Sequence, residues 1–309
     1  MAHAARRAAL EVRRRKAGRS ATISLRGFLR RAQVRSLHLR RLLTLVAGAT
    51  RPPPGVVHEL HRELRRARID VRVLRRSLPK GERARLRSLE EGLDRLSELA
   101  GEARDSDVLL ASLARLTKGT PPEVRREARS LGLRLSREAT VRHRDLRAEA
   151  RKSLRRASER LPPLERRRAT GVQAAHRFQR VVTEELGRAH EDLVRSRRRA
   201  ARRPSVRRLH RLRISLRRLR HLRTSIAQVP ERADLDTGWQ RLQRDLGVHH
   251  DLAVLEELLR SSPRSSGRTR LRKLLREQMD ERVARARHHL EQQEVPSPAA
   301  TGRRPSRAL

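Results

Sequence analysis

Two stretches of the chain set histidine and arginine at helical spacing. The first runs from Val57 to Arg68 and carries His58, His61, Arg65, Arg66 and Arg68, with Arg72 one turn further on. The second runs from Leu209 to Arg220 and carries His210, Arg213, Arg217, Arg218 and Arg220. Steps of three and four residues put side chains on one face of a helix. Positions 58, 61, 65, 68 and 72 form one such face, and 210, 213, 217 and 220 form another. Guanidinium forks donate paired hydrogen bonds to phosphate oxygens, and imidazole can add a charge near neutral pH. A row of such groups, ~5.4 Å apart along a helix, offers repeated donors to an extended polyanion.

The helices that carry these rows also carry apolar stripes. Leu60, Leu64, Ala67, Val71 and Leu74 share a second face of the first helix, and Leu209, Leu212, Leu216, Leu219 and Ile226 do so in the second. One face is expected to meet a core and the other a ligand or solvent. The two stretches also match each other at an offset of 152 residues: His58 falls on His210, His61 on Arg213, Arg65 on Arg217, Arg66 on Arg218 and Arg68 on Arg220.

A second landmark repeats at nearly the same offset. Gly101, Arg104, Asp105, Val108 and Leu109 match Gly247, His250, Asp251, Val254 and Leu255, 146 residues on. Two landmarks in the same order indicate an internal duplication. Helical patterns are expected over about 22–47, 56–78, 82–100, to 116, 122–160, 169–199, 205–227, 234–246 and 268–293. Gly101 reads as a C-cap and the following aspartate as an N-cap or an ion-pair partner. No strand pattern is present. The expected fold is all-α: two antiparallel four-helix bundles, residues 21–161 and 162–294, meeting at Leu161-Pro162-Pro163. A basic tail (1–20) and a disordered tail (295–309) flank them.

Composition narrows the function. The net charge of +43 attracts polyanions. Only five of the 78 basic residues are lysine, an arginine bias that suits phosphate but that a genome-wide preference for arginine codons would produce equally. The aromatic side chains are Phe28, Phe178 and Trp239, too few for a module that stacks on bases. Absence of cysteine excludes disulfides, thiolate zinc sites and thiol catalysis. No apolar run approaches the ~20 residues of a membrane span, and the first 16 residues lack the apolar core of a secretory signal.

These landmarks resemble the CHAD family, named for its histidines and all-helical build. The resemblance rests on His58/Arg65/Arg66/Arg68, on His210/Arg213/Arg217/Arg218/Arg220, and on the turns at Arg104-Asp105 and His250-Asp251. It covers about residues 22–294. The first copy departs at His61, where arginine is typical, at Ala67 for leucine, and at Ala100-Gly101 for Leu-Gly. The resemblance implies two pseudo-symmetric bundles whose basic helices face a central cleft, binding of inorganic polyphosphate, and association with polyphosphate granules in the cytoplasm. It also implies a stand-alone domain, since nothing resembles the triphosphate-tunnel enzyme domain often fused to it.

For His58 and His210 two readings stand side by side: a hydrogen bond to a neighbouring helix, or a phosphate contact. Metal binding at His58/His61, His249/His250 or His288/His289 is disfavoured, because His61 becomes Arg213 in the repeat and adjacent histidines diverge on a helix. No P-loop, nucleophile elbow or carboxylate cluster supports catalysis. The expected protein is therefore a non-enzymatic polyphosphate binder without cofactor, with non-specific nucleic-acid binding as the alternative and a polyphosphate hydrolase as a weaker third.

Overall fold

The computed structural model describes residues 24–160, 172–226 and 237–292. The tails, the Leu161-Pro162-Pro163 boundary and Pro230 lie outside the described residues. Eight helices account for almost all the rest: α1 Leu25–Gly48, α2 Pro54–Ser77, α3 Arg83–Leu116, α4 Pro122–Arg160, α5 Val172–Arg202, α6 Val206–Ile226, α7 Thr237–Arg260 and α8 Ser266–Gln292. No strand occurs among the described residues, and the fold is all-α.

Local chemistry sets the helix ends. Ser24 caps α1 by accepting the Gly27 N–H at 3.0 Å. The Pro52-Pro53-Pro54 run closes that helix off and starts α2, with proline where an N–H would be unpaired anyway. Between α3 and α4, Gly119 takes φ +76°, which a side chain would resist.

Gly101 does not end a helix. α3 runs unbroken through it for 34 residues, and α7 runs unbroken through Gly247. The expected breaks at residues 100 and 246 are therefore corrected. At Gly101 the reason is packing, because a Cβ there would come within 3.0 Å of His61 Cε1. Glycine costs the helix about 1 kcal/mol but lets α2 lay an imidazole against α3. Gly247 has open space around it, and nothing in the structure explains it.

Within each half the helices pack in sequence, and the last returns to the first: α1–α2–α3–α4 and α5–α6–α7–α8. Between halves each helix meets its counterpart, α1 with α5, α2 with α6, α3 with α7 and α4 with α8. This pairing is compatible with an internal duplication about a pseudo-twofold axis. The expected stripes are buried, with Leu60, Leu64, Leu212, Leu216 and Leu219 almost fully so.

Three apolar clusters hold the assembly together. One belongs to the first half, around Leu42, Leu60, Leu99 and Leu146. A second fills the second half around Phe178, Leu216 and Trp239, and reaches across to Phe28, Val71 and Leu74. The Phe28 and Phe178 rings meet with centroids 5.0 Å apart. The third joins the far ends of α3 and α4 to those of α7 and α8, through Leu113, Leu135, Leu255 and Leu271. At that joint Gly267 of α8 lies so close to Glu123 of α4 that a Cβ would stand 2.5 Å from its carbonyl oxygen. Shared cores hold the two halves, and with them α2 and α6, in fixed relation.

Candidate cationic cleft between the halves

The apolar stripes of α2 and α6 turn their neighbouring faces toward each other and toward α3 and α7. From α2 come His61 and Arg65, from α6 Arg213 and Arg217, from α3 Arg104 and Asp105, and from α7 His250 and Asp251. The four arginines repel one another. Burial, then Arg104 and Arg213, lowers the Arg65 pKa to about 10. Burial, then Arg65, Arg213 and Arg104, lowers that of Arg217 to about 9. Arg213 is also lowered, chiefly by burial, with Asp251 opposing. Arg65, Arg213 and Arg217 make no ion pair within 4.0 Å among the described residues. Elsewhere in the molecule arginines are commonly paired. These three carry partly desolvated charge with no countercharge in contact, at a cost that a bound anion would offset.

Histidines fill the spaces between them. His61 is buried, donates from Nδ1 to the Ser97 carbonyl at 3.2 Å, and leaves Nε2 without a partner. Burial and the cations Arg65, Arg104 and Arg217 hold its pKa down to about 2. His221, one residue past Arg220, is held to about 3 by burial and by Arg65, Arg217 and Arg66. His250 is held to about 4 by burial, then Arg213 and His210. All three are neutral at physiological pH. Burial raises Asp251 to about 6 despite Arg213 and Arg104 beside it. On the first-half side a groove of about 560 Å³ opens between α2 and α3, lined by His61, Arg65 and Arg68 together with Asp94, Glu98, Glu102 and Asp105.

The second sequence landmark thus stands opposite the first. Arg104 Nε donates to His58 Nδ1 at 3.2 Å, and the same contact in the other half joins His210 Nδ1 to His250 Nδ1 at 3.2 Å. The shared geometry reproduces the repeat register at the level of side chains.

Residues 32–260 match the CHAD domain family model. The chain belongs to the CHAD domain family. Its fold is similar to that in the crystal structure of the CHAD domain from the plant Ricinus communis, at 21% identity and a TM-score of 0.55, covering 84% of this chain and 89% of that one. No curated protein matches the sequence significantly.

Not every expected site residue of this CHAD domain reaches the cleft. Arg66 pairs with Glu63 at 2.6 Å. Arg218, its counterpart, pairs with Glu185 and Asp192, each at 3.2 Å. Both guanidiniums are turned to those carboxylates, standing ~100° round the helix from Arg65 and Arg217, although Arg66 is still near enough to act on His221. Arg68 and Arg72 lie on the right face but are taken by α3, through Asp94 and through Glu90 at 3.3 Å. Arg220 donates to Gln243 of α7 at 3.2 Å. His58 and His210 lie at the rim, each held by the α3 or α7 residue described above. Arg104, Asp105, His250, Asp251 and His221 join the cleft without having been picked out as ligand contacts. Asp105 pairs with Arg104 at 2.6 Å, so it orients a base and does not cap a helix.

Phe28, Phe178 and Trp239 are all buried in the core. Among the described residues no three metal-binding side chains gather to hold an ion, and no helix is long and apolar enough to cross a membrane.

Proposed function

We propose that this CHAD protein binds inorganic polyphosphate in the cleft between α2 and α6, without catalysing a reaction on it. The observation that carries the reading is the convergence of Arg65, Arg213 and Arg217 from both halves with no carboxylate in contact. An extended phosphate chain laid between α2 and α6 would receive donors from each side, with Arg104 at its edge. Binding would release condensed counterions, as it does for nucleic-acid backbones. Recruitment to polyphosphate granules in the cytoplasm follows from the same contacts.

Non-specific nucleic-acid binding is the second reading, resting on the overall charge. The burial of every described aromatic ring argues against base stacking. Hydrolysis has weaker support still, since Asp105 is already engaged by Arg104. The test is a competition. Labelled long-chain polyphosphate is titrated at near-physiological salt and challenged with excess duplex DNA or RNA at matched phosphate. Polyphosphate should remain bound, without loss of chain length over hours. Displacement by nucleic acid favours the second reading, and chain shortening favours hydrolysis.

A further inference from the structure

A second cationic groove lies at the start of α6. It occupies about 640 Å³ at the turn between α5 and α6 and is lined by Arg202, Arg203, Arg207, Arg208 and Arg287, with Pro204 and Ser205. All five arginines are exposed, and among the described residues none pairs with a carboxylate. No acidic side chain lines the groove, whereas four line the groove beside His61.

Its shape is fixed by the backbone. Arg208 Nη1 donates to the Arg203 carbonyl at 3.0 Å, and Ser205 Oγ accepts the Arg208 N–H at 3.3 Å. The Arg197 side chain donates to the Leu290 carbonyl at 2.8 Å, which ties α5 to the end of α8 and brings Arg287 alongside. The first turn of α6 contains no acid, so the positive end of its dipole adds to Arg207 and Arg208. Charges of one sign are thus stacked where a helix least tolerates them, an arrangement that a bound anion relieves. The matching turn of the first half, Arg51-Pro52-Pro53-Pro54-Gly55, has a single arginine. The run of arginines in this turn is therefore peculiar to the second half of the sequence, whereas the corresponding turn of the first half is reached by Arg147 and Arg151 of α4 through the Thr50 and Ala47 carbonyls.

We propose that this groove is a separate binding site for a short inorganic oligophosphate, or for the end of a longer phosphate chain held elsewhere on the protein. Arg202, Arg203, Arg207 and Arg287 supply the contacts, and Arg208 holds the turn. The choice of ligand rests on the polyphosphate reading of the cleft; the site itself does not share a residue with it.

The experiment is calorimetric titration of the full chain with tripolyphosphate. In an R65A/R213A/R217A background, one site should persist. Adding R202A/R203A/R207A/R287A should weaken it by roughly 10-fold or more. Adding R26A/R30A/R129A/R137A, four other exposed and unpaired arginines, should weaken it less than about 3-fold. A circular-dichroism melt checks that each variant keeps its helices. The proposal is overturned if the background variant retains no site, or if the two quadruple variants behave alike. If the background retains no site, the cleft reading stands, because the intact chain binds and R65A/R213A/R217A abolishes it; if the quadruple variants behave alike, it stands where the triple change itself removes one of the intact chain's sites. Failure of the intact chain to bind tripolyphosphate or long-chain polyphosphate overturns both.

Discussion

The two halves place the same charges differently. In the first, α2 brings histidine (His61) and α3 brings arginine (Arg104). In the second, α6 brings arginine (Arg213) and α7 brings histidine (His250). At this pair of positions each half supplies one cation and one neutral imidazole, with the helices exchanged. The rim contact is kept either way, as His58–Arg104 and as His210–His250. Departure from the repeat at His61 is therefore matched across the interface, and Gly101 provides the space for it. What the matched positions share is their summed charge and not the identity at each.

The largest effect is expected from arginines that differ only in which way they point. Arg217→Ala should lower polyphosphate affinity by about 10-fold or more, the scale of a lost charge-assisted hydrogen bond. Arg218→Ala, one residue on, should lower it less than about 3-fold, because its guanidinium already serves Glu185 and Asp192. Binding isotherms at fixed salt check both, and equal losses would mean that α6 has no ligand-facing side.

Exchanging the halves' chemistry sharpens the comparison. Arg104→His alone should weaken binding several-fold. Combining it with His61→Arg makes the first half resemble the second and should restore affinity to within about 3-fold of the original. If the double variant binds no better than the single, the cleft depends on the position of each charge and not on their sum.

The glycines give a stability test with different outcomes. Gly247→Ala meets nothing within 4 Å and should stabilise α7 by roughly 0.5–1 kcal/mol. Gly101→Ala presses on His61 and should give no such gain, while displacing an imidazole from the cleft. Chemical denaturation of the two variants measures the difference.

A smaller effect is expected from pH. An anion in the cleft favours the protonated form of every group it meets. Asp251, raised to about 6, and His210 and His250, held low, should each take up protons more readily in the complex. Affinity should therefore rise as pH falls from about 8 to about 6, by up to roughly 10-fold per pH unit for each proton taken up. Without ligand the sign reverses for stability. His61, His221 and His250 are buried neutral with depressed pKa values, so they stabilise the fold above the ordinary histidine pKa and oppose it increasingly as pH falls below about 6.5. Melting curves at pH 7.5 and 5.5, with and without polyphosphate, check both signs.

Much of this was legible in the sequence. The three-and-four spacing of Leu60, Leu64 and Leu74 foretold which face of α2 is buried, and the 152-residue offset paired Arg65 with Arg217, which the fold brings close together. Periodicity also set Arg66 and Arg218 off the ligand face, although the Arg-Arg-x-Arg run had counted them as contacts. Arg68 and Arg72 could not be judged from their own helix, because what removes them is Asp94 and Glu90 on α3. Gly101 misled for a physical reason: glycine at a helix end and glycine under a crossing side chain look alike in one dimension. Once α3 is continuous, Arg104 and Asp105 stand opposite His58 and Arg65. His221 stands four residues after Arg217, on the same face, and was passed over because the stripe was continued through Arg220.

The most direct test compares two triple variants of equal charge, R65A/R213A/R217A and R66A/R72A/R218A, in titrations with labelled long-chain polyphosphate at near-physiological salt. The account predicts a loss of about 100-fold or more for the first and less than about 5-fold for the second, since only the first removes unpaired arginines that face each other across the cleft. Equal losses would contradict it and leave a general polyanion binder in which net charge, and not the cleft, holds the ligand.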